Sequence, residues 1–298
     1  MDLLIATDFS DNSRAALKWG AFLARQLGSK ATVMHVVDLA AGDNAWRVLV
    51  ETPEEIERSA VVEADERLRA FFEETVEDSP EDVDFRVELG NPIDEILALA
   101  ETVDDPIIVV GTRGKSRFQE FFLGNTARRL VRQSETPVIL VPPDAEVAKP
   151  SQLVVGVDFS DASREAIRRS SLMARTYAAD VHLVYGYVLP EVATFDGSMS
   201  SIATESEELV QEKEKGIARI VEEVGADDVV KTINAVQLPP AQAIVEEAKE
   251  REAQFVFLGS HGRRGMRRFF LGNTAERVMR NAPCPLFVVR AEKEEGDE

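Results

Sequence analysis

Short apolar runs alternate with longer amphipathic runs along the chain, and the whole alternation occurs twice. Short apolar runs bounded by turn residues are typical of buried strands, whereas longer runs with a period near 3.6 residues are typical of helices. A strand–helix alternation predicts a parallel sheet covered on both faces. The predicted strands are residues 2–7, 32–37, 84–89, 107–110 and 138–141, then 152–157, 181–187, 230–236, 255–258 and 286–290.

The predicted helices fill the intervals between these strands. They are residues 11–27, 54–76, 92–102 and 126–133, then 161–178, 205–224, 240–252 and 274–281. Ser10 and Ser160 precede the first helix of each half, where a side-chain oxygen can cap exposed backbone N–H groups. Each half is therefore predicted to be an α/β domain with five parallel strands and helices on both faces of the sheet.

The two halves are copies of one another. Residues 3–17, LLIATDFSDNSRAAL, recur 150 positions later as LVVGVDFSDASREAI. Such internal repetition indicates a duplicated unit, and 298 residues suit two domains of ordinary size. We predict a first domain (copy one) over residues 1–143, a linker over 144–150, a second domain (copy two) over 151–292 and an acidic tail over 293–298. Prolines at the seam favour a stiff linker.

Each copy has a glycine-rich turn between its fourth strand and fourth helix. The turns read GTRGKSRFQEFFLGNT at residues 111–126 and GSHGRRGMRRFFLGNT at residues 259–274. In both turns the order is Gly, two other residues, a second Gly, nine other residues and then Gly-Asn-Thr. Such a turn lets backbone N–H groups approach an anion, and the helix N-terminus that follows adds a favourable dipole. The alternative is a pair of tight turns that need glycine only for their backbone conformation.

Charge is distributed unevenly along the chain. The net charge is −20, yet residues 111–132 contain six cations against one anion, and so do residues 259–280. These two basic islands favour a phosphate or other anionic ligand, unless they are solvated faces that pair with nearby acids. The acidic balance, with Arg supplying most of the cations, resembles that of proteins from salt-loving organisms. It also argues against a nucleic-acid partner, which needs a dominant basic face.

Composition excludes several classes of protein. The single Cys284 excludes an intrachain disulfide and a cysteine-based metal cluster, and we expect no metal site. No apolar run approaches the roughly 20 residues of a membrane span, and no basic segment typical of a signal peptide precedes the first strand. We therefore expect a cytoplasmic protein with no membrane partner. No Ser-His-Asp set or paired carboxylates emerge, so we expect no enzyme, or at most a slow ATPase.

Together these residues resemble the universal stress protein family in its tandem two-domain form. The resemblance covers nearly the whole chain twice. It rests on TDFS at residues 7–10, VDFS at residues 157–160, MHVVD at residues 34–38 and both glycine turns. It implies two tandem Rossmann-like (HUP-type) domains that, in some members, hold ATP or AMP. The ATP-binding members carry Gly-x2-Gly-x9-Gly followed by Ser or Thr, and both copies match these glycines.

The resemblance also implies which residues hold the nucleotide. Val36 would pack against the adenine, and Asp8 would meet the ribose or base. From its position alone, Asp8 could equally serve the helix that follows. The expected binding residues are Thr7, Asp8, Val36, Gly111, Gly114, Gly124, Asn125 and Thr126 in copy one, and Asp158, Gly259, Gly262, Gly272, Asn273 and Thr274 in copy two.

Three departures from the family pattern bear on the ligand. Asn follows the third glycine in both copies, where ATP-binding members have Ser or Thr. Gly186 replaces Val36 in copy two and gives less apolar cover for a base. Leu238-Pro239-Pro240 replaces Gly90-Asn91-Pro92, and the leucine there can close the cleft. We expect a stress-response regulator that holds ATP or AMP, with or without Mg²⁺, in one or both copies, copy one favoured. The alternative is a member without nucleotide that acts through a protein partner or another anionic or amphiphilic ligand.

Assembly can be predicted from the last strand of each copy. Both strands are apolar and end their domains, and an exposed apolar edge strand invites pairing. In the family such strands pair about a twofold axis, so the duplication implies an intrachain pseudo-dimer. Whether two chains then form a homodimer is left open.

Overall fold

The chain divides into two units, Met1–Val147 and Ala148–Glu298. The structure is a computed structural model that describes residues 2–39, 52–112, 124–188, 199–260 and 272–291, with the backbone alone at 199–207. Within these ranges each unit contains five strands and four helices in strict alternation up to its last strand.

The first unit follows the predicted order of elements. Its elements are β1 (Asp2–Ala6), α1 (Asp11–Leu27), β2 (Ala31–Val37), α2 (Pro53–Thr75), β3 (Val83–Leu89), α3 (Pro92–Glu101), β4 (Pro106–Gly111), α4 (Asn125–Gln133) and β5 (Val138–Val141).

The second unit repeats this order. Its elements are β6 (Gln152–Gly156), α5 (Asp161–Tyr177), β7 (Asp180–Gly186), α6 (Met199–Val224), β8 (Val230–Val236), α7 (Pro240–Glu250), β9 (Phe255–Gly259), α8 (Asn273–Asn281) and β10 (Leu286–Val289).

The strands of each unit are parallel and share one order. In the first unit the sheet runs β3-β2-β1-β4-β5, with Ile5 opposite Val33 on one side and Val109 on the other. In the second unit it runs β8-β7-β6-β9-β10. Strand order reverses at β1, which lies between β2 and β4. It reverses in the same way at β6, which lies between β7 and β9. In open parallel sheets, ligands bind at the carboxyl ends of the strands at such a switch point.

Both faces of each sheet are covered. Successive residues of a strand point to opposite faces, and yet Leu3, Leu4 and Ile5 are all at most 1% exposed. In the second unit, Val154 and Val155 are equally buried. The predicted fold class, two tandem α/β domains with parallel sheets, is therefore confirmed.

The helix starts follow the predicted capping chemistry. The hydroxyl of Ser10 accepts a hydrogen bond from the backbone N–H of Ser13, and Ser160 does the same for Ser163. Most element boundaries lie within two residues of the prediction. The exception is α6, which begins at Met199 rather than residue 205. The added segment, MSSIAT, contains no glycine or proline that would end a helix, but its weak apolar pattern gave no signal of one.

Candidate functional site

A cleft opens in the first unit at the carboxyl ends of β1, β2 and β4, where strand order reverses. Its empty volume is about 690 Å³, open solvent at its mouth included. The cleft is lined by Ala6, Thr7, Asp8, Ser13, Met34, His35, Val36, Pro92, Ile96, Val110, Gly111, Gly124, Thr126 and Ala127.

The turn after β1 forms one side of the cleft. Asp8 Oδ1 accepts hydrogen bonds from the backbone N–H of Ser10 at 3.0 Å and from its hydroxyl at 2.5 Å. The hydroxyl of Thr7 accepts from the N–H of Phe9 at 3.1 Å and lies 2.8 Å from Ser13 Oγ. These bonds hold Phe9 at a φ of 62°, a left-handed conformation that non-glycine residues rarely adopt.

Asp8 serves the helix that follows it, which is one of the two roles that its position allowed, and it also lines the cleft. One carboxylate oxygen orders the turn that caps α1 through Ser10. An ionised carboxylate has about four acceptor positions, so it retains capacity for a ligand donor in the cleft that it lines.

His35 is a cleft residue that the sequence did not indicate. Its Nδ1 lies 2.8 Å from the carbonyl oxygen of Thr7, which can only accept, so Nδ1 carries a proton. Its ring packs on Phe9 with centroids 4.0 Å apart, and the guanidinium of Arg67 lies 4.3 Å from the centre of the Phe9 ring. The turn after β1 and the end of β2 are thus tied together by a short stack.

The opposite wall is apolar. It joins Val36 on β2 to Pro92 and Ile96 on α3, with Val110 of β4 at the floor. Pro92 stands in the first turn of α3, where its missing N–H costs no hydrogen bond, and the side chain of Asn91 caps that helix. A flat apolar group would be desolvated against this wall.

The third side is the end of the glycine turn. Gly124 is the N-cap residue of α4. Because glycine has no side chain, the first N–H groups of this helix receive no hydrogen bond from the side chain of their N-cap residue. The N–H of Gly124 donates to the carbonyl of Thr112 at 2.7 Å, which closes the base of the turn. Gly111, Gly124 and Thr126 line the cleft, and the helix dipole favours an anion beside them.

Other predicted residues of this turn lie elsewhere. Asn125 is exposed and outside the cleft lining, and its side-chain oxygen accepts from Arg128 Nη2 at 3.4 Å. Gly114 falls outside the described residues, and so do three cations of the first basic island, Arg113, Lys115 and Arg117.

Copy two reproduces the framework of the site. Asp158 Oδ1 accepts from the N–H of Ser160 at 3.1 Å and from its hydroxyl at 2.5 Å. Gly272 caps α8, and its N–H donates to the carbonyl of Ser260 at 3.2 Å. Gly259 ends β9 so close to α5 that an added β-carbon would lie 2.8 Å from that of Ala162. Asn273 and Thr274 open α8, whereas Gly262 is not among the described residues.

The described residues contain no group of three or more His, Cys, Asp or Glu side chains placed to hold a metal ion. None of their helices is long and apolar enough to cross a membrane.

Comparison with known proteins places the chain in a family. The sequence profile of the universal stress protein family matches residues 1–142 and again residues 151–290. The chain belongs to the universal stress protein family. A relative from Mycolicibacterium smegmatis, itself named a universal stress protein, is 30% identical over 300 residues, covering 97% of this chain and 96% of its own.

Solved universal stress proteins share the fold. One from Archaeoglobus fulgidus matches with a TM-score of 0.66 at 21% identity, over 98% of each chain. A universal stress protein solved in complex with cAMP matches 49% of this chain at 21% identity and a TM-score of 0.33. That likeness is too low to transfer its ligand.

Proposed function

We propose that this universal stress protein is a stress-response regulator that binds an adenine nucleotide, ATP or AMP, in the copy-one cleft. The observation that carries the proposal is the pairing, in one cleft, of an apolar wall with a glycine turn that ends in a helix N-terminus. A nucleotide needs both, because its base is flat and apolar while its phosphates are anionic.

Each part of the nucleotide has a matching part of the cleft. The base packs between Val36 and the first turn of α3, at Pro92 and Ile96. A ribose hydroxyl donates to the carboxylate of Asp8. The phosphates lie at Gly111 and Gly124, where backbone N–H groups and the dipole of α4 favour negative charge. The Arg and Lys residues of the first basic island add attraction for the phosphates.

The proposed role is binding rather than turnover. Efficient hydrolysis of ATP requires a positioned base or water-orienting group. The titratable side chains that line the cleft are Asp8, engaged with Ser10, and His35, whose ring packs on Phe9, and neither belongs to the glycine turn where the phosphates would lie. We expect at most slow ATP hydrolysis, with or without Mg²⁺. A protein partner in the cytoplasm would then respond to the nucleotide-bound state.

Calorimetric titration of ATP and AMP into nucleotide-stripped protein tests this proposal. The duplication offers a matched pair of variants, Gly124→Val and Gly272→Val. Both glycines have ordinary negative φ values, −58° and −64°, so valine strains neither backbone. A β-carbon on Gly272 would meet only Ser260 O, at 3.9 Å. We expect saturable binding that Gly124→Val abolishes and Gly272→Val preserves.

Absence of binding by the folded wild-type protein would refute the proposal. The Asn that follows the third glycine would then mark a branch without nucleotide. That result would favour the alternative function, in which the protein acts through a partner or another anionic or amphiphilic ligand.

A further inference from the structure

We infer that the chain holds one nucleotide, in copy one, and that copy two is closed by its own side chains and backbone. This inference rests on the proposed function and deepens it, because it names the residues that decide which copy is occupied. It is carried by two places where glycine in copy two replaces a side chain that lines the copy-one cleft.

The first place is the apolar wall. Gly186, at the end of β7, replaces Val36. A β-carbon built on Gly186 would lie 2.6 Å from Pro240 Cα, 2.9 Å from Leu238 O and 3.0 Å from the β-carbon of Ala243. Backbone atoms cannot move aside as the end of a flexible side chain can. The loop before α7 and the first turn of that helix therefore occupy the space where copy one has an open cleft beside Val36.

The second place is the floor. Ala6 and Val110 line the copy-one cleft from neighbouring strands, and their equivalents are Gly156 and Leu258. A β-carbon on Gly156 would lie 2.5 Å from Ile244 Cδ1 and nearer still to Leu258 Cδ2. Gly156 is buried, and Leu258 and Ile244 are at most 4% exposed. The volume lost at Gly156 is thus filled by the larger Leu258 and by Ile244.

These exchanges share one consequence. In copy one the strand ends carry side chains that stand at the edge of an open space. In copy two, Gly156 at the end of β6 and Gly186 at the end of β7 have no side chain, and the neighbouring elements pack onto them. The turn after β6 and the cap of α8 are kept, so copy two retains the framework of the site without room for a base. One nucleotide per chain follows.

The stoichiometry of ATP and AMP binding to the full chain is the direct test. Calorimetry on wild-type protein of known concentration should give one site per chain. Two sites would overturn the inference and leave the proposed function standing. A single site that Gly272→Val abolishes and Gly124→Val preserves would overturn both the inference and the copy-one location in the proposed function, because the nucleotide would then lie in copy two. No binding at all would overturn both.

Exchanging the floor residues between copies tests the mechanism. The pair Ala6→Gly and Val110→Leu gives copy one the floor of copy two. We expect the dissociation constant for AMP to rise by roughly tenfold, because the pair conserves the total number of side-chain carbons but places one extra methylene at position 110, which lines the cleft. The reciprocal pair, Gly156→Ala and Leu258→Val, is the matched control. It should leave one site of unchanged affinity, because Pro240 still lies against Gly186.

Circular dichroism and thermal unfolding of both pairs show whether each copy remains folded. Unchanged AMP affinity in a folded Ala6→Gly, Val110→Leu protein would contradict the assigned role of the floor. A second binding site in the reciprocal pair would contradict the role given to Pro240. The wild-type stoichiometry tests the inference even if a pair fails to fold.

Discussion

His182 is a buried titratable side chain whose environment disfavours charge. It is 3% exposed and lies between Gln152 Oε1, 2.7 Å from Nε2, and Thr232 Oγ1, 2.8 Å from Nδ1. Burial, and to a smaller degree the charge of Arg251, lowers the pKa of His182, whereas Glu247 and Asp180 oppose this. The unfolded chain therefore binds a proton more readily than the folded one. The contribution to stability is full above the unfolded pKa, about 6.5, and is lost as pH falls toward the folded pKa.

Replacing His182 with Gln should remove this pH dependence. Gln keeps a polar side chain but cannot be protonated. Between about pH 7.5 and pH 5, the free energy of unfolding should fall more steeply in wild type than in His182→Gln. The difference in slope is at most about 1.4 kcal/mol per pH unit, the limit for one proton. Urea unfolding at several pH values measures it, and parallel curves for the two proteins would contradict the prediction.

Cys284 should be inert in the folded protein. It is 5% exposed, and burial raises the pKa of its thiol to about 12. At pH 8 the thiolate fraction is then about one in ten thousand, against roughly a quarter for an unfolded cysteine. Because Cys284 is the chain's one cysteine, labelling with a thiol reagent is unambiguous. Reaction in native buffer should be on the order of a thousandfold slower than in denaturant, and rapid native labelling would refute this.

The sequence predicted some cleft residues and missed others for an identifiable reason. The spacing of the glycine turn located Gly111 and Gly124, the end of the first strand pointed to Asp8, and the family resemblance supplied Val36. His35 enters the cleft through a hydrogen bond to the carbonyl of Thr7, 28 positions away in the sequence, and through its contact with Phe9. Such contacts depend on the register between β1 and β2, and a run that is buried on both faces has no alternating pattern to specify that register.

At the scale of the element, the duplication contains a matched test of helix termination. The residue that caps the C-terminus of α1 is Gly28, with a φ of 60°, and the equivalent residue of α5 is Ala178, with a φ of 56°. Both conformations are left-handed. Glycine adopts this conformation without steric cost, whereas alanine does not. Ala178→Gly should therefore raise the free energy of unfolding by about 0.5–1 kcal/mol, even though glycine also loses more entropy on folding.

The reverse exchange is the control. A β-carbon on Gly28 would contact nothing within 4 Å, so Gly28→Ala tests backbone conformation without a clash. It should lower the free energy of unfolding by a similar amount. Urea unfolding measures both variants, and effects of the same sign would show that left-handed strain does not control these two positions.

The boundaries of helices were predictable where a capping residue precedes the helix. Ser10 and Ser160 fixed the starts of α1 and α5, since Ser is a strong N-cap residue. The closure of copy two was only partly foreseeable. The replacement of Val36 by Gly186 suggested less apolar cover for a base. The sequence does not show, however, that Pro240 lies against Gly186. Packing between elements distant in sequence decides that outcome.

At the scale of the whole molecule, duplication has preserved the framework and allowed the two sites to diverge. Strand order, the turn after the first strand and the closure of the glycine turn are the same in both units. Among the residues that line the cleft, Ala6, Val36 and Val110 differ from their copy-two equivalents Gly156, Gly186 and Leu258. The pairing of the two copies through their last strands, and a homodimer, stay predictions from the sequence.

Net charge supplies the last prediction. With 54 acidic and 34 basic side chains, the chain repels itself, and most ion pairs among the described residues have at least one exposed partner and contribute little. Salt shortens the screening length from about 10 Å at 0.1 M to about 3 Å at 1 M. The melting temperature should therefore rise by several degrees when the KCl concentration is raised from about 0.05 M to about 2 M. Near the isoelectric point of about 4.7 the same salt series should have a much smaller effect, because little net charge remains to screen. A melting temperature that stays constant or falls as KCl is added at neutral pH would show that repulsion among acidic side chains does not lower the stability of the folded protein.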